Sequence, residues 1–195
     1  MPQPDPQVCP LHTDEFVRPV FVGSETADYT FTCPRTDHPT PGTFTWSFVP
    51  EPSSLPGDSL GLGLDIELPK AVATASDRSG RAWVEYGLIE HAYAAANPDD
   101  WSTLLARYGH THYQPPNASL KEFPYTASKY LARSLGALGA RGVLLHAFGP
   151  GTGRWDYNKS ISYYALPAGG DWSQRQTWVA SGIMMDDYMP AVRPH

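Results

Sequence analysis

Apolar residues in the second half of the chain recur three and four positions apart, the spacing that lines one face of an α-helix. Between Pro98 and Gly109 the stripe consists of Trp101, Leu104, Leu105 and Tyr108. After Pro124 it consists of Tyr130, Leu131, Leu135 and Leu138. Pro at a first turn and Gly after a last turn are typical helix ends. An earlier helical pattern, which begins at Arg81 and carries Trp83, Leu88, His91 and Ala95, stops at Asn97-Pro98.

Shorter apolar segments predict β-strands on both sides of these helices. Near the N-terminus, residues 16–22 and 28–32 are rich in Val, Phe, Tyr and Thr. Beyond the last helix, Val143–Phe148 and Ile161–Leu166 predict two strands joined by the turn-rich segment Gly149-Pro-Gly-Thr-Gly153. Strands before and after a group of helices predict an α+β protein.

The composition argues against a membrane protein. The chain has 195 residues, of which 17% are charged and 20 are proline. No apolar run reaches the roughly 20 residues that span a bilayer, and the N-terminus lacks the basic and apolar regions of a secretory signal. We expect a cytoplasmic protein without a membrane partner.

Charge is distributed unevenly. Residues 1–100 contain 5 basic and 15 acidic residues, a net charge of −10, whereas residues 101–195 contain 9 and 5, a net charge of +4. A basic C-terminal half is compatible with a polyanion as its partner.

The two cysteines each begin a short Cys/His motif, Cys9-Pro-Leu-His12 and Cys33-Pro-Arg-Thr-Asp-His38. Two close ligand pairs separated by enough chain for a hairpin are typical of a structural zinc site. The segment resembles a zinc ribbon in which His replaces the second Cys of each pair. The resemblance implies one structural zinc ion held by four protein ligands, with no open position for catalysis. A Cys9–Cys33 disulfide is the alternative interpretation.

The order helix, helix, helix, strand, Gly-rich loop, strand, together with Ser128-x-Tyr-Leu-Ala-x-x-Leu-x-x-Leu and the later Gly-Val-Leu, resembles winged helix-turn-helix regulators of the MarR and related types. The resemblance implies sequence-specific binding of duplex DNA, with a third helix in the major groove. It implies that the following residues contact DNA from that helix and from the wing: Thr126, Ser128, Lys129, Arg133, Arg154, Trp155, Tyr157 and Lys159.

The predicted organisation has four parts: a zinc-ribbon β-hairpin module (1–48), a linker with a short helix (49–80), a winged helix (81–167), and a C-terminal cap or dimer segment (168–195). A homodimer is therefore possible. The leading hypothesis is a non-enzymatic nucleic-acid-binding protein, such as a transcriptional regulator or an accessory factor of a mobile or defence element.

Two other functions remain open. In the first, both modules dock other proteins as an adaptor. In the second, Asp65, Glu67 and Lys70 form the centre of a metal-dependent nuclease, although a polar helix start with Pro69 in its first turn explains these residues better. Gly57-Asp-Ser-Leu60 matches the motif of the GDSL esterases, but no Asp-x-x-His follows that would activate the serine. We therefore expect no catalytic residue in this segment.

Overall fold

The computed structural model is a mixed α+β protein with its strands in antiparallel hairpins and one larger mixed sheet. Its described residues fall into two compact units. Unit 1 takes in the described parts of Met1–Ser54 and Pro98–Tyr130, and unit 2 those of Leu55–Asn97 and Leu131–Pro190. The structure describes residues 7–9, 12–23, 29–37, 43–48, 58–77, 80, 82–108, 125–152 and 160–183.

Unit 1 contains two small antiparallel sheets and one helix. Strands β1 (Gln7–Cys9) and β2 (His12–Val17) form a hairpin. Strands β3 (Val20–Phe21), β4 (Tyr29–Thr32) and β5 (Thr45–Phe48) form a sheet in that order. Helix α3 (Pro98–Tyr108) packs against β5 and buries the predicted stripe of Trp101, Leu104, Leu105 and Tyr108, which confirms that helix.

Unit 2 is built on a four-stranded sheet and several helices. The elements are α1 (Leu64–Ala75), β6 (Trp83–Glu85), α2 (Tyr86–Ala96), β7 (Leu145–Gly149), β8 (Ile161–Ala165), β9 (Arg175–Gln176) and α5 (Trp178–Ser181). The strands lie in the order β7-β8-β6-β9, and helices α1 and α2 pack against each other and contact β8. Strand β6 pairs antiparallel with β8 and parallel with β9.

Helix α4 (Ala127–Ala140) confirms the second predicted stripe, because Tyr130, Leu131, Leu135 and Leu138 are all buried. The helix ends where Gly142 adopts φ +72° and the Val143 amide donates to the Leu138 carbonyl at 3.0 Å. This hydrogen bond is the one that closes a Schellman motif. The predicted range 81–167 is thus divided, since α3 groups with unit 1 and most of α4 with unit 2.

Two predicted helix starts are wrong. The helix expected from Arg81 begins only at Tyr86, because Trp83–Glu85 pair with the neighbouring strands instead. The helix expected to begin with Pro69 in its first turn starts at Leu64, so that Pro69 lies inside it. Asp58 is part of the GDSL-like tetrapeptide. Its carboxylate accepts hydrogen bonds from the Leu62 and Leu64 amides at 2.9 and 3.1 Å, and so provides an acceptor for the amide of the first residue of the helix.

The described part of 168–195 joins the sheet of unit 2. Strand β9 extends the sheet beside β6, and Trp178 at the start of α5 is buried. The Trp178 ring lies edge-on to His91 of α2, with ring centroids 6.0 Å apart.

Gly149 and Gly136 differ sharply in the space around them. A Cβ on Gly149 would lie 2.8 Å from Tyr163 Cε2 and 3.0 Å from the Trp172 ring, whereas a Cβ on Gly136 in α4 would meet nothing within 4 Å. We expect Gly149→Ala to destabilise the protein by about 1–3 kcal/mol through overpacking. Gly136→Ala should stabilise it by about 0.5–1 kcal/mol, because glycine lowers helix stability. Chemical denaturation measures both, and equal effects of the two substitutions would contradict the packing described at Gly149.

Candidate functional site

The two cysteines of the predicted zinc site lie together in the core of unit 1. Cys9 and Cys33 are both fully buried thiols, and they belong to one apolar cluster with Val17, Phe31 and Trp46. The Phe31 and Trp46 rings stack with centroids 5.3 Å apart across β4 and β5. Two residues that are distant in sequence are thus brought into one cluster, as a shared ligand site requires.

The β1–β2 hairpin sets the first Cys/His pair opposite each other. Cys9 and His12 are Cα partners across the hairpin, next to an irregularity between Val8 and Cys9. His38, the fourth predicted ligand, lies outside the described residues. Within the described part of the chain, no group of three or more His, Cys, Asp or Glu side chains is placed to hold a metal ion.

The residues at the start of α4 do not face outward as the sequence analysis expected. Thr126 is 1% exposed and Ser128 is 8% exposed. The Thr126 hydroxyl accepts from the Lys129 amide at 3.2 Å, so its side chain caps the helix. An outward, base-contacting orientation is therefore wrong for these two residues.

Lys129 and Arg133 are half-buried and lie one turn apart on α4. They are the two predicted DNA-contacting residues of this helix whose side chains keep some exposure. The four predicted wing residues, Arg154, Trp155, Tyr157 and Lys159, lie outside the described residues, although the strands on both sides, β7 and β8, pair as an antiparallel hairpin.

The alternative metal-nuclease centre has no support from the placement of its residues. Asp65 and Glu67 are two positions apart on α1, and side chains at i and i+2 do not face each other on a helix. Asp65 forms a two-point ion pair with Arg141, with distances of 2.9 and 3.1 Å, which raises the pKa of Arg141. Lys70 is paired with Glu67 at 2.7 Å. The charged groups of Asp65, Glu67 and Lys70 therefore form ion pairs and do not converge on one site.

Sequence reasoning missed a buried carboxylate at the end of β6. Glu85 is fully buried. Its Oε1 accepts from the Thr152 amide at 2.8 Å, and its Oε2 accepts from the Thr152 hydroxyl at 2.6 Å and the Trp178 amide at 2.8 Å. In the sequence, this carboxylate is indicated by one acidic residue between two apolar segments, Ala82–Val84 and Tyr86–Ile89.

Tyr163 faces the same region from the neighbouring strand, where it is the Cα partner of Glu85. Its hydroxyl donates to the Pro150 carbonyl at 2.7 Å. Burial, with a further contribution from the negative charge of Glu85 and an opposing one from Arg175, raises the pKa of Tyr163 to about 12. The loop after β7 is therefore held at Pro150 by a neutral phenol and at Thr152 by a carboxylate.

A cluster of aromatic residues packs against Gly149, the last residue of β7. The exposed Trp172 ring lies edge-on to Trp83 and Tyr163, with centroids 5.3 and 5.4 Å apart, and the Arg175 guanidinium sits 5.0 Å from its centroid. The close approach of Trp172 and Tyr163 is what excludes a side chain at position 149. This cluster stabilises the end of the β7–β8 hairpin that adjoins the connecting loop.

Comparisons of the chain with protein-family models, with curated proteins and with solved structures each found no match. In the ranges that the structure describes, no helix combines the length and apolar character needed to cross a bilayer.

The raised pKa of Tyr163 predicts a stability loss in alkaline solution. Its neutral form contributes stability that is complete below pH 10.0 and is lost as the pH rises to about 12. In an ultraviolet titration, the difference between the wild type and Tyr163→Phe should show one phenol that ionises near pH 12. Glu85→Gln removes the charge but not the burial, so the pKa should fall only part of the way toward 10.0. A difference titration centred at an ordinary tyrosine pKa would contradict this environment.

Proposed function

We propose that the protein binds duplex DNA through α4 and the connection between β7 and β8, acting as a winged helix-turn-helix, and that a structural zinc ion stabilises the N-terminal segment of unit 1. A cytoplasmic location, where thiols remain reduced, is part of this proposal. Regulation of transcription, or service to a mobile or defence element, is the role that we propose for such a protein.

The topology of unit 2 is the observation that carries the DNA-binding proposal. Without α3, the order is α1, β6, α2, α4, β7, β8, and the three antiparallel strands lie in the order β7-β8-β6. A winged helix has the same succession: a helix, a short strand, two helices and a hairpin whose second strand pairs with the first strand. In this arrangement α4 corresponds to the recognition helix, and the β7–β8 connection corresponds to the wing.

Four basic residues of the proposed surface fit contacts with DNA, two with base edges and two with phosphate. Lys129 and Arg133 lie on α4, and Arg154 and Lys159 lie between β7 and β8 in the sequence. Thr126 and Ser128 are excluded from the proposed contacts because they are buried. The proposed interface is therefore narrower than the sequence alone predicted.

The zinc proposal rests on the donors that unit 1 brings together. Two buried thiols share one cluster, and the residue opposite the first thiol is a histidine. Cys9, His12, Cys33 and His38 would hold the ion in the tetrahedral S2N2 arrangement that zinc accepts, and the ion would crosslink the strands. A segment this short gains stability from such a crosslink.

An adaptor function is the second candidate, and a specific observation favours it. Phe148 is 69% exposed on β7, which is an edge strand of the four-stranded sheet within the described residues. Its ring lies edge-on to the exposed His146, with centroids 4.8 Å apart. Exposed aromatic residues on a strand edge are typical of surfaces that bind other proteins. Winged helices serve both functions, so a test of duplex binding distinguishes them.

For zinc, we expect about one ion per chain in protein purified without chelator, measured by elemental analysis. The double variant Cys9→Ser/Cys33→Ser should lose the ion, because it removes both thiolates. His146→Ala, which changes a histidine outside the proposed ligand set, should retain it. Chelation should destabilise the N-terminal segment, since binding energy contributes to its folding. Undiminished zinc in the double cysteine variant would remove the proposal.

For DNA, we expect the full chain to bind duplex with an affinity that falls as salt rises, measured by fluorescence anisotropy. Arg154→Ala and Lys159→Ala should each reduce the slope of log affinity against log salt by about one unit. Lys129→Ala and Arg133→Ala should each reduce discrimination between sequences by roughly 1–3 kcal/mol, because each would remove the hydrogen bonds to one base edge.

The matched control is Lys70→Ala, which removes an exposed lysine from α1, outside the proposed interface, and should leave DNA binding unchanged. If the folded protein shows no affinity for duplex at low salt, the DNA proposal is wrong. In that case the adaptor function, centred on the Phe148 edge, takes its place.

A further inference from the structure

Glu85 receives hydrogen bonds from two segments that are far from it in sequence. Thr152, in the loop after β7, is 67 positions away, and Trp178, the first residue of α5, is 93 positions away. Both segments therefore depend on one side chain, which extends from the junction of β6 and α2.

The two segments also contact each other through Thr152. The Thr152 hydroxyl donates to Glu85 Oε2 at 2.6 Å and accepts from the Val179 amide at 3.3 Å. The Trp178 amide donates to the same carboxylate oxygen. The threonine hydroxyl thus links the carboxylate to the second residue of α5. Removing Glu85 or the hydroxyl leaves polar groups of the other residues without these hydrogen bonds.

Burial makes this arrangement cooperative. A carboxylate excluded from water is destabilising unless donors surround it. Release of α5 alone would take one donor from Glu85 and another from the Thr152 oxygen, and release of the loop alone would take two donors from Glu85. Each segment is consequently more stable while the other is in place.

We propose that Glu85 is a positioning residue that makes the loop after β7 and helix α5 order and release together. The functional consequence, which rests on the proposed function, is that a molecule engaging the C-terminal segment would change the affinity of the wing for DNA. Position 85 would then link two surfaces without itself contacting either ligand.

Amide hydrogen exchange of the full chain tests the coupling without any ligand. Thr152→Val removes the hydroxyl but changes no atom of α5. We expect the Trp178 and Val179 amides to exchange about tenfold or more faster in this variant. Thr152→Ser keeps the hydroxyl and should restore the wild-type rates. The Ala180 amide donates to Thr177 within its own segment. Its exchange rate therefore shows whether α5 opens as a whole.

Glu85→Gln should accelerate exchange at Thr152 and Trp178 together, because an amide cannot accept all three hydrogen bonds in the same way. The matched control is Glu90→Gln, which changes a second buried glutamate, located on α2, that accepts a hydrogen bond from the Tyr86 hydroxyl of its own helix. That variant should show no selective effect at Thr152 or Trp178. If Glu85→Gln fails to fold, the comparison of Thr152→Val with Thr152→Ser decides alone. Wild-type exchange at Trp178 and Val179 in Thr152→Val would overturn the proposal.

The same variants separate this proposal from the DNA-binding proposal. Coupled exchange in a protein that binds no duplex would leave the positioning role of Glu85 intact and refute the proposed function. Duplex binding by Thr152→Val with wild-type salt dependence, alongside wild-type exchange in α5, would refute the positioning role and leave the proposed function intact.

Discussion

Burying a carboxylate imposes a strict condition on the chain around it. Desolvating an isolated ion is unfavourable by several kcal/mol in a protein, and a single unmatched polar group by about 1–3 kcal/mol. Glu85 meets the condition with three donors, none of which lies near it in sequence. One side chain on β6 therefore holds both the loop after β7 and α5 in place.

Further contacts hold the loop after β7 at the end of the hairpin that it adjoins. Tyr163 binds the Pro150 carbonyl from β8, and Trp172 closes over Gly149 from the segment before β9. Polar and apolar contacts from β6, β8 and the segment before β9 thus converge on residues 149–152. A loop that contains two glycines and a proline gains a defined conformation from its surroundings, since its own backbone preferences would leave it variable.

Local sequence patterns predicted those elements that depend on neighbours along the chain. The stripes of α3 and α4 needed only the helical period, and both were confirmed. The prediction failed where distant contacts decide the outcome. Trp83–Glu85 became a strand because β8 and β9 pair with it, and the start of α1 depends on the Asp58 carboxylate. Thr126 was expected at a DNA surface, whereas its hydroxyl caps α4, a role that short polar residues before a helix commonly take. No pattern of period two or 3.6 could have joined Glu85 to Thr152 and Trp178.

The chain enters each unit more than once. Unit 1 contains α3 as well as the N-terminal strands, and unit 2 contains residues on both sides of α3. Neither unit corresponds to one uninterrupted stretch of coding sequence. Any contiguous fragment long enough to contain all of one unit therefore also contains part of the other, so neither unit can be isolated by trimming the chain at its ends.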